Sequence, residues 1–239
     1  MDLQQFFDLQ QFFNDLDARI AKFDLLCHPF YQAWSAGTLT REDLREYAQY
    51  YYPHVEAFPT YLAEFGIRLS DGDLRRAVLA NMCEEKGGED AFGEPCPSHA
   101  QLWLDFVEGM DGVRSRRGQT LLPEMKSLMA SFHHVASEGA AEEALAAFYA
   151  YESQVPRIAE AKEAGLRDLY GADEKTRGYF ALHKTADVFH SNVWKQQLGK
   201  RVKDDPQAAE RALNAAENAA KALWQTLDGI EAERTTRAA

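Results

Sequence analysis

Three residues spread over two helical turns, His183, Asp187 and His190, constrain this chain more than any other feature. Their spacing is i, i+4, i+7. At about 100° per residue, the three side chains fall within roughly 60° of one another on one helix face. Phe180, Leu182, Ala186, Val188, Phe189 and Trp194 surround them with apolar side chains, so the stripe is expected to face a protein interior. Two imidazoles and a carboxylate in a core need partners, and a metal ion satisfies all three together. A chance match on a solvated face is the competing reading in a chain with 7 His and 38 Asp+Glu.

An inward stripe of this kind needs other helices around it, and the sequence supplies them. Phe13 to Leu26 is amphipathic and ends at His28-Pro29. Thr40 with Asp43 marks a capping box before a long helix, expected to be interrupted at Pro53 and Pro59. A helix from Asp71 or Asp73 runs to Glu85 and stops at Gly87-Gly88. Ser98 caps the next, and Leu122-Pro123 opens another. Glu142 to about Gly165 is helical, with a kink expected at Pro156. Glu174 to Leu198 carries the stripe, and an Ala-rich helix follows Asp205-Pro206 to about Glu233. No run of period 2 marks a strand. The pattern predicts an all-α bundle of about eight helices. Residues 13–233 form the expected domain, between an N-terminal extension (1–12) and a short tail (234–239). The extension holds the repeat DLQQFF, at Asp2–Phe7 and Asp8–Phe13.

Charge and cysteine content narrow the function. A net charge of −12 argues against nucleic acid, since little here would neutralise phosphates. Cys27, Cys83 and Cys96 form no CxxC pair, as expected of a reduced, cytoplasmic protein. No apolar run reaches the length of a membrane span.

Bundles that bind two metals draw carboxylates and imidazoles from several helices. Glu84 ends an apolar stripe through Val78, with Glu85 beside it. His99 opens a helix. Glu152 lies among Leu145, Phe148, Tyr149 and Tyr151, where a solvated Glu is hard to place. Each has a bland reading: a surface Glu, a cap-region His, an isolated acid. Together Glu84, His99, Glu152, His183, Asp187 and His190 make a thiolate-free set that suits iron or manganese better than structural zinc.

Several spaced motifs also resemble the CADD-like proteins of the haem-oxygenase-like diiron oxidases, relatives of TenA- and PqqC-like proteins. They are His28 to Trp34, Tyr47 with Tyr50-Tyr51-Tyr52, Asn81 with Glu84-Glu85, His99 to Trp103, Tyr151 to Pro156, Lys162 with Gly165, and Tyr179 to Trp194. The resemblance implies a haem-oxygenase-like bundle of seven or eight helices. It implies a dinuclear site on the six ligands above, holding two iron ions or one iron and one manganese. Dioxygen is the implied co-substrate, alongside a reductant. The implied product is para-aminobenzoate for folate, with a tyrosine of the protein itself as carbon source. By position Tyr31 resembles the sacrificed residue, Tyr47 a second redox tyrosine and Lys162 the amine donor. The bland readings are two core tyrosines and a surface lysine. On a straight helix Lys162 would lie roughly 15 Å from Glu152, so its role depends on a bend.

The chain departs from the family pattern between Glu84 and His99, where a loop near Gly88–Pro97 is inserted. The choice between Glu84 and Glu85 therefore stays open, with Glu84 the first of the pair. The family takes its name from death-domain association, but nothing in this sequence supports such a partner. A homodimer stays open. The rival functions are a diiron oxygenase of a free small molecule, a metal-free TenA- or PqqC-like enzyme, and a protein-binding module.

Overall fold

Asp8 caps the first helix by accepting the backbone N–H groups of Gln10 and Gln11. That places the second copy of the repeat at the start of α1 (Leu9–Ala21), with Phe12 in the core. The first copy lies outside the residues described by the structure, a computed structural model, which covers 8–89, 94–114 and 121–238. A 3-10 turn (Leu25–Cys27) leads into α2 (Pro29–Ser35). The chain continues through α3 (Arg41–Arg68), α4 (Asp73–Lys86), α5 (His99–Gly109), α6 (Pro123–Ser137), α7 (Ala141–Glu152), α8 (Val155–Asp168), α9 (Glu174–Val202) and α10 (Pro206–Ala238). The expected eight helices become ten among the described residues, because short α2 stands alone and α7 is separate from α8.

Three local expectations change. Pro53 and Pro59 do not interrupt α3, which is one helix of 28 residues with both prolines buried. An internal proline costs about 3 kcal/mol, and the packing of α3 against α4, α5 and α6 outweighs it. The bend expected at Pro156 is a full break two residues earlier, at Ser153 and Gln154. Pro156 then sits in the first turn of α8, where a missing N–H does no harm. The inserted loop contains a two-stranded ribbon, Gly88–Glu89 antiparallel to Pro95–Cys96. Two-residue strands are too short to show a period of 2, and the loop tip between them lies outside the described residues.

The Ala-rich α10 lies along α7, and Ala144, Ala147 and Ala150 of α7 and Ala212, Ala216 and Ala220 of α10 are all buried. Small side chains let the two helix axes approach closely. α10 continues past Glu233 to Ala238, and Arg237 pairs with Asp43 and Glu46 on α3. Gly165 plays a comparable part on α8. A Cβ there would lie 2.9 Å from the Trp34 indole, so the glycine lets α2 settle on α8.

One core residue predicts an acid response. His54 on α3 is fully buried, and neither ring nitrogen has a hydrogen-bond partner among the described residues. Burial pushes its pKa down to about 3. The unfolded chain takes up this proton near pH 6.5 and the folded chain does not, so stability falls as pH drops below that point. Between pH 7 and 5 the parent should lose about 2 kcal/mol more than His54→Leu, read from denaturant midpoints. Equal losses would show that His54 is not held neutral.

Candidate metal centre

Four helices deliver the candidate ligands. α9 carries His183, Asp187 and His190, each at most 3% exposed. The inward direction of the stripe is as expected, although Leu182, Val188 and Phe189 of its supposed apolar surroundings face outward. The covering comes instead from Phe148, Tyr151 and Tyr179. α7 ends on Glu152, 1% exposed. α5 opens on His99, placed by the Ser98–Gln101 capping box. α4 carries Glu84 and Glu85 in its last turn.

Ligand-type atoms of Glu152, Asp187 and His190 lie within 4.8 Å of one another. Asp187 bridges two imidazoles, 2.8 Å from His183 Nδ1 and 3.4 Å from His190 Nδ1. His183 Nε2 is buried without a hydrogen-bond partner among the described residues. An orphaned imidazole nitrogen beside converging carboxylates is what a metal ion would satisfy, so the donor set fits one. Glu85, 5% exposed, lies 2.8 Å from His99 Nδ1 and lines a small cavity with Glu152, His183 and Asp187. Glu84 is half-exposed at 54% and reaches His190 Nε2 at 2.9 Å from outside.

Burial opposes charge on His190, but Asp187, Glu152 and Glu84 outweigh it and hold its pKa at about 9. Burial likewise opposes charge on Asp187, yet His183 and His190 bring it down to about 2. Metal binding at these imidazoles must therefore release protons, which makes affinity rise with pH.

A second cluster lies on the far side of Tyr151 and Tyr179, which line both its cavity and the ligand cavity. The break before α8 turns that helix so that Lys162 points into the core, 4% exposed. Its Nζ donates to Tyr31 Oη at 2.7 Å and also to Tyr47 Oη, and the two phenols are 3.0 Å apart. Burial drives the Lys162 pKa well below its ordinary value and both phenols well above theirs. Burial thus favours the neutral amine and the protonated phenols. His28 fixes Tyr31 from outside: Nδ1 caps α2 by accepting the Phe30 N–H at 3.1 Å, and Nε2 donates to Asp228 at 3.1 Å. Glu163, next to Lys162, is held by Arg167, Arg177 and Lys184, which ties α8 to α9.

Residues 45–224 match a sequence family described as "Iron-containing redox enzyme". The chain belongs to that family. Within it, this protein is 37% identical to the 4-aminobenzoate synthase of Nitrosomonas europaea, over 92% of this chain and 90% of the other. It is 34% identical to the 4-aminobenzoate synthase of Chlamydia trachomatis serovar D, over 92% and 91%. A solved domain from Shewanella denitrificans with a haem oxygenase-like fold superposes with a TM-score of 0.77 at 17% identity, covering 96% of this chain and 94% of that one. The resemblance and the haem-oxygenase-like bundle expected from the motifs both hold. No helix among the described residues is long and apolar enough to cross a membrane.

The structure gathers Glu152, Asp187 and His190, sets His183 and His99 beside them, and leaves Glu84 at the exposed edge; Tyr31, Tyr47 and Lys162 lie together in the separate cluster. Of the open pair it buries Glu85 beside His99, and it adds Tyr151, Tyr179 and Trp194. Trp194 had a legible signal: it continues the ligand stripe at i+11 from His183 and belongs to the same helix face.

Proposed function

We propose that this chain makes 4-aminobenzoate from its own Tyr31, with Lys162 as nitrogen source and a dinuclear iron or iron–manganese centre as oxidant. The relatives named 4-aminobenzoate synthase support the product. The observation that carries the self-derived source is the small size of the pocket around Tyr31 and Lys162. Its volume is about 30 Å³, against roughly 150 Å³ for a cavity that binds benzene. A free aromatic substrate does not fit there, but an aromatic ring of the protein already stands in place.

When bound, the metals supply oxidising equivalents from dioxygen and a reductant. Glu152, His183, Asp187, His190, His99 and Glu85 would hold them, with Glu84 outside the set. The protein's own part is to keep Tyr31 protonated until it is oxidised and to hold the Lys162 amine 2.7 Å from its oxygen, where the amine lone pair can take the phenol proton once Nζ turns from donor to acceptor. The same neutral amine is a nucleophile, which an ammonium is not. Rings link the two clusters: Tyr179 lies 4.1 Å from the His183 ring and 4.7 Å from Trp103, and Trp103 lies 5.9 Å from Tyr47. Solvent is excluded from that path, which protects a reactive oxidant from water.

Metal content tests the ligand set. Purified protein should carry about two iron or manganese ions per chain. A His183→Ala, Glu152→Ala double variant should bind at most one. Glu85→Gln should weaken one site by roughly tenfold or more, and Glu84→Gln should change affinity less. The reverse order would restore Glu84 as the ligand. At metal concentrations about 100 times Kd, binding should add about 2.7 kcal/mol, or roughly 5–10 °C in Tm, and chelation should remove it.

One observation favours a second reading, an oxygenase of a free small molecule. A groove of about 580 Å³ runs past Glu84 and His99 between Leu102 and Leu182. Activity that requires an added substrate would select it.

A further inference from the structure

We infer that Trp194 and Asn81 are positioning residues that hold the Glu152 carboxylate in place for metal. The inference rests on the metal reading above, but not on the product or on the sacrificed tyrosine. Glu152 is the last residue of α7, where the chain breaks at Ser153, so its own helix leaves it little support on the C-terminal side. Two other helices supply that support. Trp194 Nε1 on α9 donates to Glu152 Oε2, and Asn81 Nδ2 on α4 donates to Oε1 at 3.1 Å. Each carboxylate oxygen thus receives one neutral N–H donor. Both donors are buried, Trp194 to 1% and Asn81 to 2% exposure.

The placement repeats on both helices. Trp194 follows His190 by four residues and Asp187 by seven. Asn81 precedes Glu85 by four. Each donor extends a ligand stripe by one helical turn, so the helices that carry ligands also carry the groups that orient the ligand on α7. Trp suits this role because indole donates a hydrogen bond and cannot compete for metal. Asn81 Oδ1 has no hydrogen-bond partner among the described residues, so the amide is kept for its donor side at a buried cost. With one donor on each oxygen, the carboxylate plane is fixed and a lone pair on each oxygen remains for metal. Outer partners of this type commonly change metal affinity by 10- to 100-fold.

The test measures Mn²⁺ binding by electron paramagnetic resonance of the free ion, on full-length protein stripped of metal. Parent, Trp194→Phe, Trp194→Gln and Asn81→Leu are compared. The expected result is a 10- to 100-fold loss of affinity at one site in Trp194→Phe and Asn81→Leu. Trp194→Gln, whose amide keeps an N–H donor without adding an imidazole ligand, should recover part of it, and that recovery separates donor loss from simple repacking. In parent protein with ¹⁵N-labelled tryptophan, the Trp194 indole N–H signal should move on titration with diamagnetic Zn²⁺, and the Trp224 signal should not. Unchanged affinity in Trp194→Phe and Asn81→Leu with an unmoved Trp194 signal overturns the inference while leaving the metal reading intact. Parent protein that binds no metal overturns both. Normal metal binding with no 4-aminobenzoate overturns the product reading alone.

Discussion

Tyr31→Phe is expected to form no 4-aminobenzoate while holding the same metal as the parent. The phenol is not among the ligands, and the ring that remains keeps most of the packing against Phe30 and Tyr47. What is lost is the oxygen that accepts from Lys162 Nζ at 2.7 Å and shares a hydrogen bond with Tyr47 Oη at 3.0 Å. Two buried hydrogen bonds go with it. Each nets about 1 kcal/mol, but Lys162 and Tyr47 still have each other, so the fold should lose only about 1–2 kcal/mol. Product formation and stability therefore separate: the first falls to background and the second barely moves. If Tyr31→Phe makes as much product as the parent, Tyr31 is not the source and Tyr47 becomes the candidate.

Lys162→Met should abolish product as well, and it should make the protein more stable. A lysine amine with no acid partner in an apolar cage is costly to bury, and methionine fills a similar volume without a polar head. The gain at pH 7 should be about 2 kcal/mol or more, less the bonds lost to the two phenols. Its pH dependence identifies the cause. Burial favours the neutral amine in the folded protein, and the unfolded lysine is charged below about pH 10.4. Between pH 7 and 9 the unfolded parent therefore holds more protons at this position than the folded parent. The parent then gains on the variant as pH rises, by up to about 1.4 kcal/mol per pH unit, and the advantage of Lys162→Met shrinks. A variant that is less stable than the parent at every pH would mean that Lys162 is not held neutral. The pairing of lost product with gained stability is the mark of a residue kept for chemistry.

The helices were legible because their periodicity and caps are local. Thr40, Ser98 and Asp205 each sit where the capping pattern places them. The metal stripe was legible for the same reason, since i, i+4, i+7 is a property of one helix. The placement of Lys162 was not. It depends on a break at Ser153 and Gln154 that no local signal marks, because the proline two residues on draws attention to itself. Gln154 is held there from a distance, by the Leu25 N–H at 3.1 Å. Nor could the sequence separate Glu84 from Glu85. Adjacent helix positions differ by about 100°, and which one faces inward depends on how α4 rolls against α5 and α9. The stretch around Leu182, Val188 and Phe189 shows a related limit. Apolar neighbours suggested an interior, yet the covering comes from Tyr179 one turn earlier on α9 and from Phe148 and Tyr151 on α7.

The most direct test of the central claim uses parent protein grown with ring-labelled tyrosine, purified, loaded with iron and manganese, and given dioxygen and a reductant with no organic substrate. The account predicts labelled 4-aminobenzoate at no more than one molecule per chain, with a matching loss of mass in the peptide that contains Tyr31. Product that carries no label, or labelled product from chains whose Tyr31 peptide is unchanged, would contradict it.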